Sequence, residues 1–119
     1  MQDKETPVCS TEPAGVKNLE AEFDVETAKE LARAFLDDTN SLIGRMNEAL
    51  ERKDLEGLRA SAHMLKGCAR ALQAGQCEKV SAALESFARD GDEEGAKETL
   101  QVLTQVYEQT AEFLRNYTS

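Results

Sequence analysis

His63 is the only histidine among 119 residues, and it lies in the stretch SAHMLKGCARAL, residues 61–72. If that stretch is a helix, its neighbours at i−4, i+3, i+4 and i+7 are Arg59, Lys66, Gly67 and Arg70. Three cations around one imidazole is a local reversal in a chain with 23 acidic and 14 basic residues. An uncharged imidazole carries a ring-nitrogen lone pair that can act as a nucleophile. A phosphate placed on His63 would meet Lys66 one turn on and Arg59 one turn back, where charge-assisted hydrogen bonds would hold it. The same residues also suit a basic, solvated helix face with no chemistry. Gly67 bears on the choice, because glycine within a helix costs about 1 kcal/mol relative to alanine. Bare backbone beside the imidazole would open the ring to a bulky partner. A close helix crossing is the other use of such a glycine, but Gly67 lies on the histidine side, away from the apolar stripe.

That stripe belongs to the helix that must carry the group. Its apolar positions step by three or four through Leu58, Ala62, Leu65, Ala69 and Leu72, with Asp54 as the N-cap. Before it, Asp24 caps a helix with Ala28, Leu31, Phe35 and Leu36 in register. Asp37, Asp38, Thr39 and Asn40 are expected to weaken or bend that helix before Leu42, Ile43, Met46, Ala49 and Leu50 resume the period. Gly75 punctuates the chain, and a further helix runs through Val80, Ala83, Leu84 and Phe87 to the Asp90-Gly91-Asp92 turn. The last helix spans about residues 93–117, with Leu100, Leu103, Tyr107, Thr110 and Leu114 on one side. Short links between amphipathic helices favour antiparallel neighbours. The predicted fold is all-α: an up-down antiparallel four-helix bundle over residues 23–119. Residues 1–22 hold both prolines and read as a flexible tether with a short helix near Val16 to Ala21.

Composition agrees with this. The chain suits one domain with one modest core. It is 40% hydrophobic, only 5% aromatic and without tryptophan, a palette for helices rather than a β-sandwich. A formal net charge of −9 opposes binding to nucleic acid. No apolar run is long enough to span a membrane, and the start MQDKETPVCS lacks signal-peptide character, so a cytoplasmic protein is expected. Cys9, Cys68 and Cys77 show no C-x-x-C spacing, and one histidine offers little to a metal. Cys68 reads as a small buried spacer, with an oxidisable thiol as the other reading.

The segment Ala62-His63-Met64-Leu65-Lys66-Gly67 resembles the A-H-x-L-K-G signature of histidine-containing phosphotransfer (HPt) domains, and the similarity extends over most of residues 24–117. The resemblance implies a small helical phosphorelay module. Such a module accepts a phosphoryl group from an aspartate of one response-regulator receiver domain and passes it to another. His63 would be the phosphoacceptor through Nε2, Lys66 would neutralise phosphoryl oxygens, and Gly67 would admit the receiver's active site. Arg59 and Arg70 fall at less strictly required basic positions and give electrostatic support. Family members often carry Gln or Glu twenty-two residues after the histidine, here Glu85, whose carboxylate would take the Nδ1–H bond. One position departs from the pattern: the glycine common ten residues after the histidine is Gln73 here, with glycine at Gly75 instead. That departure bears on the turn between the third and fourth helices, and through its register on Glu85.

The resemblance also implies that the receiver brings the aspartate and Mg²⁺, so no cofactor of the chain's own is expected. With no G-x-x-x-x-G-K-[ST] loop and no ATP-binding glycine box, ATP-dependent kinase activity is not expected. Expected partners are receiver domains and a hybrid sensor histidine kinase, met by a monomer through Met64, Ile43 and Met46, with Leu42 beside them if exposed. Two other readings are a helical adaptor that binds a receiver or kinase without being phosphorylated, and a kinase dimerisation domain. The intact motif counts against the first. The second expects a two-helix hairpin and a following ATP-binding domain.

Overall fold

The computed structural model describes residues 12–119. Among them are five helices and no strand: α1 (Val16–Glu22), α2 (Val25–Glu51), α3 (Leu55–Ala71), α4 (Gly75–Arg89) and α5 (Glu93–Thr118). α3 packs between α2 and α4, and α5 packs on both α4 and α2, so the four longer helices enclose one core. The predicted α3 stripe is buried throughout: Leu58, Ala62, Leu65, Ala69 and Leu72 are at most 3% exposed. Tyr107 and Leu103 of α5 and Met46 of α2 fill the interior opposite it. α1 lies on α2, with Ala14, Val16 and Leu19 joining the core. The remainder of the expected tether, residues 1–11, lies outside the described residues. So does Cys9.

Asp24, Asp54 and Asp92 cap α2, α3 and α5. Each accepts the backbone N–H three residues on, from Thr27 at 2.7 Å, Gly57 at 3.0 Å and Gly95 at 2.9 Å. Hydrogen bonding from Thr27 holds the Asp24 carboxyl below the usual carboxylate range. The expected weak point in α2 is absent, and the helix runs unbroken through Asp37 to Asn40. Asp37 and Asp38 stay exposed, and the other two polar residues meet the rest of the fold. Thr39 faces the core, while the Asn40 amide oxygen accepts from the Tyr107 hydroxyl of α5 at 3.1 Å.

The turn between α3 and α4 answers the question raised by Gln73. Gln73 itself takes the left-handed conformation, φ +54°, in which glycine is preferred. Gln73 N–H bonds the Arg70 carbonyl at 3.0 Å and Ala74 N–H bonds the Ala69 carbonyl at 2.8 Å, a Schellman motif. The turn is therefore built as a glycine would build it, and α4 starts immediately after. This turn is further engaged by α1 and the residue just before it. The Gln73 side-chain carbonyl accepts from Asn18 at 2.9 Å, and Gly15 N–H bonds the Leu72 carbonyl at 3.2 Å. A methyl group on Gly15 would sit 2.6 Å from the Gln73 amide oxygen, so this approach needs glycine.

Candidate functional site

His63 lies at mid-length of α3 on the face opposite the core stripe, and 62% of its side chain is exposed. The 3.6-residue repeat that buries Ala62 and Leu65 turns His63, Met64 and Gly67 outward. α4 runs alongside and brings Glu85 to the ring. His63 Nδ1 and Glu85 Oε2 are 2.9 Å apart, a geometry in which Nδ1–H donates to the carboxylate. The other ring nitrogen, Nε2, has no hydrogen-bond partner among the described residues. Bonding one nitrogen to a carboxylate fixes the tautomer and leaves the lone pair on the other.

Glu85 serves two groups. Its second oxygen, Oε1, lies 2.8 Å from Lys66 Nζ, and both side chains are partly covered, 15% and 24% exposed. The hydrogen bond from Lys66 holds the Glu85 carboxyl below the usual carboxylate range; burial opposes this, and the His63 bond adds to it. Glu85 is therefore charged at neutral pH. Lys66 sits one turn from the imidazole on the same helix and points at the acid that orients it.

The two arginines named from the sequence are also paired. Arg59 makes a two-pronged contact with Glu56 one turn back, which holds the Glu56 carboxyl down. Arg70 Nε donates to Glu78 of α4 at 2.8 Å. The face is thus a row of ion pairs rather than a bare basic patch. Arg59 and Arg70 are brought to the edges of the site and do not touch the imidazole.

Gly67 is exposed, and a methyl group built on its Cα would meet nothing within 4 Å. No packing among the described residues requires glycine there. Met64, 53% exposed, stands beside the histidine. Ile43 is half-buried on α2. Met46, expected at the partner surface, is instead 0% exposed, and Leu42 only 3%, so both belong to the core. Their spacing set them on the buried edge of α2, where the apolar stripe and a docking edge cannot be told apart by period alone. Cys68 is half-buried; burial, then the charge of Asp38, pushes its thiol up, which keeps it protonated and poorly nucleophilic. Cys77 is buried against the Thr110 hydroxyl at 3.4 Å.

Gly44, missed in the sequence, shares the property of Gly67. It is exposed on α2 with no atom within 4 Å of a built methyl group. Its signal was available: a glycine inside a 27-residue helix costs stability that no contact here returns. Among the described residues no cluster of three or more His, Cys, Asp or Glu side chains is placed to hold a metal ion, and no helix is long and apolar enough to cross a membrane.

A nucleophilic lone pair on an exposed ring, oriented by a carboxylate and flanked by a lysine and open backbone, can take up and release a small electrophilic group. A family model described as the Hpt domain matches residues 16–113, well over half of the chain. No curated protein matches it.

Proposed function

As this chain belongs to the Hpt domain family, whose members are phosphotransfer modules of two-component phosphorelays and not kinases, we propose that His63 is its phosphoacceptor. What carries the proposal is the disposition of the ring, with Nδ1 bonded to Glu85 at 2.9 Å and Nε2 unpartnered on an exposed face. In this reading Nε2 attacks the phosphorus of a receiver-domain aspartyl phosphate in line, and the aspartate leaves with the P–O electron pair. Such transfer depends on positioning and charge stabilisation more than on covalent help from the protein. The receiver contributes the aspartate and Mg²⁺. Lys66 turns from Glu85 to the phosphoryl oxygens, a reach that one helical turn allows. Arg59 and Arg70 lend support from their ion pairs. Gly67 admits the receiver's backbone, and Met64 with Ile43 forms the contact surface. A second receiver aspartate then takes the group from His63.

The same reading makes α2 to α5 an up-down antiparallel four-helix bundle with α1 as an N-terminal addition, supported by the three-residue links and by the contacts of α5 with α2. The protein acts as a monomer in the cytoplasm, with receiver domains and a hybrid sensor kinase as partners. Incubation with a phosphorylated receiver domain is expected to place acid-labile, alkali-stable phosphate on the wild-type chain and none on His63→Gln. Label that persists in His63→Gln would refute the assignment, and a receiver that binds without transfer would favour the adaptor reading.

A further inference from the structure

The Glu85 carboxylate does more than orient a ring, because a neutral amide at the same place would accept the same Nδ1–H bond. We propose that Glu85 is a positioning residue that keeps the Nδ1 proton on the phosphorylated ring, and so sets how readily His63 gives its phosphoryl group away. The inference rests on His63 being the phosphoacceptor.

The Nδ1 proton decides what kind of leaving group the ring becomes. Neutral imidazole holds its proton on Nδ1, and the Nε2 lone pair forms the new N–P bond as the donor's P–O bond breaks. The ring is then a phosphoimidazolium, positively charged and still protonated at Nδ1. When an incoming carboxylate oxygen bonds to phosphorus, the N–P pair returns to Nε2 and neutral imidazole leaves, with no proton delivered or removed. If Nδ1 loses its proton in between, the leaving group becomes an imidazolate, a far stronger base and a far poorer leaving group.

The charges that face the ring decide whether that proton stays. On α3, Lys66 and Arg59 oppose it, and Arg59 is already committed to Glu56, as Arg70 is to Glu78. From α4, Glu85 favours it at 2.9 Å, and its carboxyl is held in the charged form. From α2, no charged side chain bonds the imidazole among the described residues; Asp38 acts on Cys68, beyond Gly67. Among the described residues, Glu85 is therefore the one acid in direct contact with Nδ1–H. When Lys66 turns to the phosphoryl oxygens, Glu85 loses its other partner and holds the ring cation more strongly, so charging the site tightens the bond that readies it for discharge.

The test uses the wild-type chain, Glu85→Gln, Lys66→Gln and His63→Gln, each treated with phosphoramidate as a chemical phosphoryl donor. Loss of phosphate is then followed from pH 6 to pH 9 by ³¹P NMR. Dephosphorylation is expected to slow as pH rises through one titration. The midpoint should fall by about one unit in Glu85→Gln, so that near pH 8 this variant keeps its phosphate about tenfold longer than wild type. Lys66→Gln, which leaves the ring as the only partner of Glu85, should keep or raise the midpoint. Profiles that superpose for wild type and Glu85→Gln, or a midpoint that rises in Glu85→Gln, would overturn the inference while leaving the phosphoacceptor standing. Absence of label in wild type, or label that survives in His63→Gln, would overturn both.

Discussion

At Gly67 the chain forgoes a side chain that its own fold has room for. Because a methyl group there meets nothing, Gly67→Leu is expected to leave the helix intact and to raise melting temperature slightly, since glycine costs a helix about 1 kcal/mol. The same variant should lose phosphotransfer, because the added bulk stands beside the imidazole. Thermal melts and transfer kinetics on one preparation check both halves; normal transfer would remove the steric account of this residue. Lys66→Ala is expected to slow transfer from a phosphorylated receiver or to destabilise the phosphorylated form, by ten- to a hundredfold for a lost charge-assisted contact of about 1.5–3 kcal/mol. Stopped-flow transfer kinetics would show it. That His63, Lys66 and Gly67 share one side of a helix could be read from spacing, because all three lie within one turn-and-a-half of α3. Glu85 came only from the family resemblance, and Glu78 was not named at all. Glu85 and Glu78 reach their partners across a turn, and spacing within a helix says nothing about what the next helix brings.

Three turns of the molecule share one construction. Lys53, Gln73 and Gly91 each take positive φ, at 58°, 54° and 78°, and the residue after each is the N-cap of the next helix. Only Gly91 does so without cost, since a left-handed conformation disfavours other residues by about 1–2 kcal/mol. Lys53 is the better place to recover that energy. Its side chain is 75% exposed and, among the described residues, makes only a 3.7 Å contact with Glu93. Lys53→Gly is expected to stabilise the protein by about 1 kcal/mol in urea unfolding, after the added entropy of the unfolded glycine is counted. Asp92→Ala, which removes the α5 cap, should cost about 1 kcal/mol by the same measurement. The Asp24 and Asp54 caps and the Asp-Gly-Asp turn were legible because those residue types are favoured at such places. Gln73 was not, since glutamine is no signal for a left-handed residue. Its conformation is imposed by the turn's own bonds and by the chain from Gly15 to Asn18 packed on it. The continuity of α2 was hidden for a related reason: the polar run 37–40 weakens a helix in isolation, whereas Tyr107 and the core support it here.

Across the whole molecule, α1 is tied to the end of α5. The Tyr117 hydroxyl donates to Glu20 at 2.6 Å, and Lys29 of α2 lies 5.9 Å from the centre of the Tyr117 ring. Burial, then this hydrogen bond to a carboxylate, pushes the Tyr117 phenol up to about 12. An unfolded tyrosine ionises near 10, so between the two values the folded state keeps a proton that the unfolded state has lost. The contribution is therefore complete below pH 10 and disappears as pH rises through about 12. Alkaline unfolding of Tyr117→Phe should show a shallower loss of stability across that window than wild type, by circular dichroism against pH. The pairing of every cation near His63 with an acid has a consequence for encounter. Opposite charges a few ångströms apart cancel at a distance, and the chain as a whole is acidic, so the site casts little positive field into solution. Recognition is then a short-range affair: a partner is not drawn in from afar by this face, but is accepted or refused only once its own groups compete for the glutamates already there.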